Sequence, residues 1–402
     1  MKLLTFILAG GKGERLYPLT RDRAKPAVPF GGIYRIIDFT LSNCINSGIR
    51  RIYVLTQYKS MSLTRHINLG WNIFNTILNE YINVIPAQQR IDESWYKGTA
   101  DAIYQNFYIL EKENPDLVLI LAGDHVYKMD YRGFINFHIQ NRADLTVAAI
   151  EKEKEASSRF GVIEVDKDFR MVGFQEKVKK PKTIPLKPDK ILASMGIYIF
   201  NTETLVKQLI KNIKDSSSDH DFGKNIIPSI FKKNRVFVYN FLDKNRKLGK
   251  YWEDVGTIDA YYQANMDLIA VNPIFDLYDP GWPINTYHTP SPPARTVFNE
   301  PRRIGTVLNS LLSNGCIVSG AKIIRSIMSP NVRIHSYTQV EDSIIMDRVD
   351  IGRNVVIKKA IIDKEIRIPP GITIGLDHDK DRKLFTKTES GIVVVPRGFK
   401  FE

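Results

Sequence analysis

The stretch Leu8-Ala9-Gly10-Gly11-Lys12-Gly13-Glu14-Arg15-Leu16 decides the first domain. An apolar run, Leu3 to Leu8, feeds directly into three glycines within four residues, and Arg15 and Lys25 follow. Glycine lets the backbone turn sharply and brings its N–H groups close to phosphate oxygens. Arg15 and Lys25 supply full positive charge where a triphosphate would lie. The reading is a nucleotide-binding loop, with Leu8, Ala9, Gly10, Gly11 and Gly13 against the ligand. The glycines alone also fit a tight strand-to-helix turn.

Two familiar phosphate loops are excluded. Glu14 follows Gly13 where a P-loop needs Lys-Ser/Thr, and Leu16 stands where a dinucleotide fingerprint needs its third glycine. Gly-Gly-x-Gly-x-Arg-Leu followed by Lys25-Pro26 resembles instead the signature of sugar-nucleotide pyrophosphorylases.

The apolar run after Lys2 is short and enters a charged glycine-rich loop, so it reads as a buried strand, not a signal peptide. No segment approaches the ~18 uninterrupted apolar residues of a membrane span. A soluble, cytoplasmic chain with no membrane partner is expected. Cys44 and Cys316 are far apart, so reduced thiols are the default. The seven histidines show no zinc spacing. A net charge of +13 over 402 residues points to anionic partners. The basic residues are dispersed and form no nucleic-acid module, so phosphorylated ligands and anionic metabolite effectors are the expected partners.

Residues 1–272 alternate strand-like and helix-like runs. Arg51 to Thr56, Leu117 to Ala122 and Leu145 to Ile150 are continuous apolar runs, as in strands covered on both faces. Ile37 to Asn46 and Thr99 to Glu111 carry helical spacing. The pattern predicts an α/β domain, a mostly parallel sheet with helices on both faces, binding ligands beyond its carboxyl strand ends. Prolines 273, 280, 283, 290, 292, 293 and 301 mark 273–303 as a linker or wrapped crossover. From 304 to 402 apolar pairs recur six residues apart: Ile334 and Val340, Ile351 and Ile357, Ile368 and Ile374. That period predicts a parallel β-helix of hexapeptide repeats, with an ordinary antiparallel sheet as the alternative.

Three segments carry chemistry. Asp124 closes the strand Leu117 to Ala122 at the cleft of the glycine loop, where a carboxylate suits Mg²⁺ and also suits a helix cap. Trp252-Glu253-Asp254-Val255-Gly256-Thr257 offers a second carboxylate, with Thr257 placed to cap a helix from Ile258. Phe174-Gln175-Glu176-Lys177 can serve a sugar phosphate, or be a solvated charged hairpin. The run Asp215 to His220 reads as a solvated loop, and Asp221-Phe222-Gly223 as a weaker candidate for sugar contacts.

Taken together, the chain resembles the glucose-1-phosphate adenylyltransferase (ADP-glucose pyrophosphorylase) family over nearly its whole length. The specific stretches are Ala24 to Val28, Arg35 to Phe39, Leu41 to Gly48, Pro86 to Arg90, Trp95 to Asp101, Ala193 to Tyr198 and Trp252 to Thr257. The resemblance implies a nucleotidyltransferase fold followed by a left-handed β-helix, a homotetramer, and conversion of ATP and glucose 1-phosphate to ADP-glucose and pyrophosphate for glycogen or starch synthesis. It also implies Arg15, Lys25, Asp124 and Asp254 as catalytic residues, with Asp124 and Asp254 on Mg²⁺. Gln88, Gly98 and Thr99 would then meet the adenine. Tyr96, Gly161, Glu176, Lys177 and Ser194, with Tyr198, Asp221 and Trp252 close by, would meet the sugar phosphate.

Two departures from the family pattern stand out. Val178 follows Lys177 where the family usually has proline, which implies a longer loop to Pro181. Asp22 occupies the place of a lysine in members activated by a sugar bisphosphate, which argues against the same activator. Arg23 and Arg397 remain as basic effector positions. Alternatives within the resemblance are another sugar-1-phosphate nucleotidylyltransferase, such as a mannose-1-phosphate guanylyltransferase, or a non-catalytic regulatory subunit.

Overall fold

The computed structural model describes residues 1–88, 95–185, 187–245 and 250–401. The apolar runs become the spine of a nine-stranded sheet. Its sequence of neighbours includes Leu117–Ala122, Leu3–Leu8, Arg51–Thr56 and Tyr81–Pro86, all parallel. The interior strands are buried on both faces, as continuous Leu/Ile/Val runs require: Phe6, Ile7, Val54 and Leu119 to Leu121 are fully covered. The sheet then changes direction. The long strand Lys190–Asn201 runs antiparallel to Leu117–Ala122, to Leu145–Glu153 and to Gly161–Val165. Its register shifts between Ser194 and Tyr198, so the strand bulges there and carries left-handed Gly196.

The helix expected from Ile37 to Asn46 spans Ile36–Asn46. The one expected from Thr99 to Glu111 is two helices, Thr99–Tyr104 and Phe107–Glu113. The break has a local cause. Asn106 donates its side-chain amide to the Ala102 carbonyl, while its backbone N–H goes to Ile103. The side chain thus takes the acceptor that an unbroken helix would have given to the main chain.

The segment 273–303 wraps the first domain. Phe275 and Trp282 are buried, the Trp282 indole donates to Asn43 Oδ1 (2.8 Å), and Thr286 donates to Asp38 Oδ2 (2.6 Å). Its last part already belongs to the coil, because Arg295–Val297 pairs in parallel with Ile317–Ser319.

The C-terminal region is a parallel coil with three ladders, one per face. The six-residue pairs fall on two of them. Ile334, Ile351 and Ile368 stack in one ladder, and Val340, Ile357 and Ile374 in another. All six point into a dry interior. The coil also shares a core with the first domain: Ile344, Met346, Ile361 and Val394 pack with Leu16, Leu19, Phe39 and Tyr261. No helix among the described residues is long and apolar enough to cross a membrane.

Candidate active site

Three parallel strands end at one level, since Leu8 is in register with both Leu55 and Ala122. The loops that follow them therefore open into one cleft. The first is the glycine loop. Gly13 has φ 65° and cannot be replaced without strain, whereas a side chain on Gly11 would meet nothing within 4 Å. The bare backbone at Gly11 thus leaves open space, as a bound phosphate chain needs. The loop after the last of them is Gly123-Asp124: a Cβ on Gly123 would lie 2.8 Å from Ile37 of the helix and 3.0 Å from Ile7 of the first strand, so close packing fixes the turn that carries Asp124.

The second carboxylate arrives on a ribbon. His125–Tyr127 pairs antiparallel with Trp252–Asp254, and the register sets Asp254 opposite His125. Lys25, almost wholly buried, sits between the two acids. Its ammonium donates to Asp124 Oδ2 at 2.9 Å and to Asp254 Oδ1 at 2.7 Å. Burial alone would lower the Lys25 pKa, but the two carboxylates outweigh it and raise it. For Asp124, burial pushes upward, and Lys25 followed by His125 holds the group below the usual carboxylate range. Burial pushes the His125 pKa down, against the pull of the neighbouring Asp124 and Asp254 carboxylates. Ligand atoms of Asp124, His125 and Asp254 lie within 4.8 Å of one another, a donor set that can hold a divalent metal. Lys152 braces the ribbon from behind, donating to the Trp252 carbonyl (2.9 Å) and to Glu253 Oε1 (2.8 Å).

A cavity of about 580 Å³ extends from these acids toward the outer strands. Along its wall Glu176 is in register with Gly161, where an added Cβ would fall 2.5 Å from Phe174 and 2.9 Å from Glu176 Oε2. Lys177, in a left-handed conformation, reaches back to Glu176 at 3.1 Å. Of the residues expected at the site, Leu8, Gly10, Gly11, Gly98, Thr99, Tyr96, Asp124, Gly161, Glu176, Lys177, Ser194, Tyr198, Asp221, Trp252 and Asp254 line this cavity. Ala9, Gly13, Arg15 and Lys25 line an adjoining one that shares Leu8, Gly11, Lys12 and Asp124 with it. Arg15 is exposed, with no ion-pair partner among the described residues, and its guanidinium lies beside Gly256.

Gln88 lines neither cavity and is exposed just past Tyr81–Pro86, while Gln89 and Arg90 of the same motif lie outside the described residues. Arg23 is turned away from the cleft and buried, its Nη2 donating to both carboxylate oxygens of Asp363 at 2.8 and 2.9 Å. Arg397 lies on the coil surface, paired with Glu365, and its carbonyl accepts from Arg21. Asp22 is occupied by Arg21 at 2.9 Å.

The sequence reading did not single out several cavity residues: Gln57, Tyr58, Arg159 and Met195. Gln57 and Tyr58 follow directly on the strand Arg51–Thr56, so the rule that ligands sit beyond carboxyl strand ends would have found them. The run Asp215 to His220 is not a solvated loop throughout, because His220 is 7% exposed and its carbonyl accepts from Ala100 and Asp101.

Comparison with known proteins divides the chain into the same two parts as the fold. A nucleotidyl transferase family model matches residues 4–271, and a GlmU-like C-terminal hexapeptide model matches 292–395. The glucose-1-phosphate adenylyltransferase of Koribacter versatilis is 51% identical over 401 residues, covering 99% of this chain and 96% of its own length. That of Rhodopirellula baltica is 53% identical over 400 residues, covering 98% and 90%. That of an Anaeromyxobacter species is 51% identical over 412 residues, covering 100% and 99%. Sharing about half its residues with these enzymes over nearly the whole length of each, this chain belongs to the glucose-1-phosphate adenylyltransferase family.

Proposed function

We propose that the chain transfers AMP from ATP to glucose 1-phosphate, releasing pyrophosphate and forming ADP-glucose. The observation that carries the reading is Lys25 bridging Asp124 and Asp254 beside the glycine loop, with Glu176 and Lys177 across the same cavity. One end is built for a polyphosphate and the other for a hydroxylated anion.

The chemistry needs little from the protein beyond placement and charge. A sugar phosphate has a second pKa near ~6, so its oxygen is already a nucleophile at neutral pH. That oxygen attacks the α-phosphorus of ATP, a new P–O bond forms, and the bond to the β-phosphate oxygen breaks in line with it. The electron pair leaves with pyrophosphate. Lys25 and Arg15 neutralise the triphosphate, Lys177 holds the sugar phosphate, and Glu176 accepts from sugar hydroxyls. Gly98 and Thr99 border the adenine, with Gln88 a further contact on this reading. Asp124 and Asp254 would hold Mg²⁺, which when bound supplies positive charge to the phosphates. The donor chemistry fits, since paired carboxylates already gather one cation, the Lys25 ammonium.

Of the two basic effector positions expected, Arg23 is buried against Asp363, so an anionic metabolite effector is read at the exposed Arg397. Assembly as a homotetramer accords with the exposed Ile73, Ile77 and Leu78. The functional units are 1–272, the wrapping segment 273–303 and the coil 304–402, working in the cytoplasm.

Pyrophosphate release with glucose 1-phosphate and Mg²⁺, compared across ATP, GTP, UTP and dTTP, tests the assignment. ATP is expected to support turnover at least about tenfold better than any other, a difference of roughly 1.4 kcal/mol in the barrier. A preference for another nucleotide would move the substrate, and no turnover with any would remove the reading.

A further inference from the structure

The two ends of the cavity are joined by a piece of chain that touches both. The helix Thr99–Tyr104 begins at the proposed nucleotide end, and its first N–H groups are taken by one carbonyl: Ala100 and Asp101 both donate to His220 O, at 2.8 and 3.3 Å. Gly98, just before the helix, packs so closely that a Cβ would lie 2.3 Å from the carbonyl oxygens of both Asp219 and His220. Thr99 donates to Asp221 Oδ2 (2.9 Å) and accepts from the Phe222 N–H (3.0 Å). At the far side of the same loop, a Cβ on Gly223 would sit 3.4 Å from Glu176 Oε2, the proposed sugar contact. Gly98, through backbone contacts, and Thr99, through its bond to the Asp221 side chain, are thus tied to the same short loop whose Gly223 borders the Glu176 carboxylate.

His220 fixes that joint. Its φ of 52° is left-handed, which for an ordinary residue is unfavourable and for His or Asn is more accessible. The conformation is held by a small network: His220 Nδ1 pairs with Asn212 Oδ1 (2.9 Å), its N–H donates to Ser218 Oγ (3.0 Å), and Asn212 donates to that same Ser218 Oγ (2.8 Å). The left-handed turn is what aims the carbonyl at the helix start.

We propose that His220 is a positioning residue that couples the two substrate subsites, so that occupancy of the nucleotide end at Gly98–Thr99 tightens binding of the sugar phosphate at Glu176, and the reverse. The coupling rests on the substrate reading above. By linkage the two ligands must enhance one another by the same factor. His220 touches neither substrate and serves neither as acid nor as base.

The test is calorimetric, on the full chain with Mg²⁺. The dissociation constant of glucose 1-phosphate is measured without and with saturating α,β-methylene-ATP, which resists transfer, and the order is then reversed. Wild type is expected to show mutual tightening of about fivefold or more. His220→Gly keeps the left-handed backbone accessible but frees it, and is expected to bring the factor close to one while each ligand alone binds within about twofold of wild type. His220→Asn, which tolerates the conformation, should retain most of the coupling. If His220→Gly melts early, Asn212→Ala releases the same network from the other side and should give the same loss. Full coupling in both loosened variants, or none in wild type, overturns the proposal and leaves the substrate reading standing. Failure of wild type to bind either ligand overturns both.

Discussion

Asp124→Asn is expected to lower kcat about a thousandfold, roughly 4 kcal/mol of barrier, while the protein melts within a few degrees of wild type. The reason lies in what surrounds the carboxylate. Asp124 is held ionised by the Lys25 ammonium, and it shares that cation with Asp254. The amide keeps the shape and removes the charge. On the proposed mechanism, the cost falls where negative charge is redistributed between the attacking phosphate and the leaving pyrophosphate. Asp254→Asn should cost a similar factor, and the double variant much less than the product of the two, because both acids act on the same cation. Initial rates at saturating ATP and sugar phosphate check this. A loss under about tenfold for Asp124→Asn would place the charged centre elsewhere in the cleft.

Arg23→Ala should destabilise the chain by about 3–5 kcal/mol, the usual cost of leaving a buried charge without its partner. The Arg23 and Asp363 side chains are 5% and 2% exposed, and one guanidinium nitrogen bridges both carboxylate oxygens across the boundary between the first domain and the coil. Removing the guanidinium leaves Asp363 with the Lys364 backbone N–H as its other hydrogen bond. Arg23→Met combined with Asp363→Asn should recover much of the loss, since the isolated charge is then gone as well. The pair lies two residues from Lys25, so the single variant should also reduce turnover through the loop it anchors. Thermal melting of wild type, the single and the double variants reads the stability effect. An Arg23→Ala midpoint unchanged from wild type would mean the domains are held by their shared apolar core alone.

Much of this architecture was readable from local patterns. The run Leu3 to Leu8 ahead of three glycines marks a strand and the sharp turn that follows it, because burial on both faces and positive φ each leave a mark on composition. The six-residue period did the same for the coil, since every turn must place an apolar side chain inside. Asp124 was recognisable by its position at a strand end. Other features were not, because they depend on partners distant in sequence. Arg23 reads as a free basic residue until Asp363, 340 positions away, is folded against it. Lys152 is one lysine at the end of a strand, and only the antiparallel ribbon brings Trp252 and Glu253 to it. His220 closes a polar, serine-rich run that looks solvated, yet a left-handed turn buries it against a helix start. The antiparallel strand Lys190–Asn201 was hidden for a related reason: a continuous apolar run carries no sign of strand direction.

The most direct measurement follows the α-phosphate. ATP labelled at that position is incubated with the protein, glucose 1-phosphate and Mg²⁺, and the label is located. All transferred label is expected in ADP-glucose, with none on the protein and unlabelled pyrophosphate released in equal amount. Label retained covalently on the protein, or transferred only with another sugar phosphate, would contradict the proposed transfer.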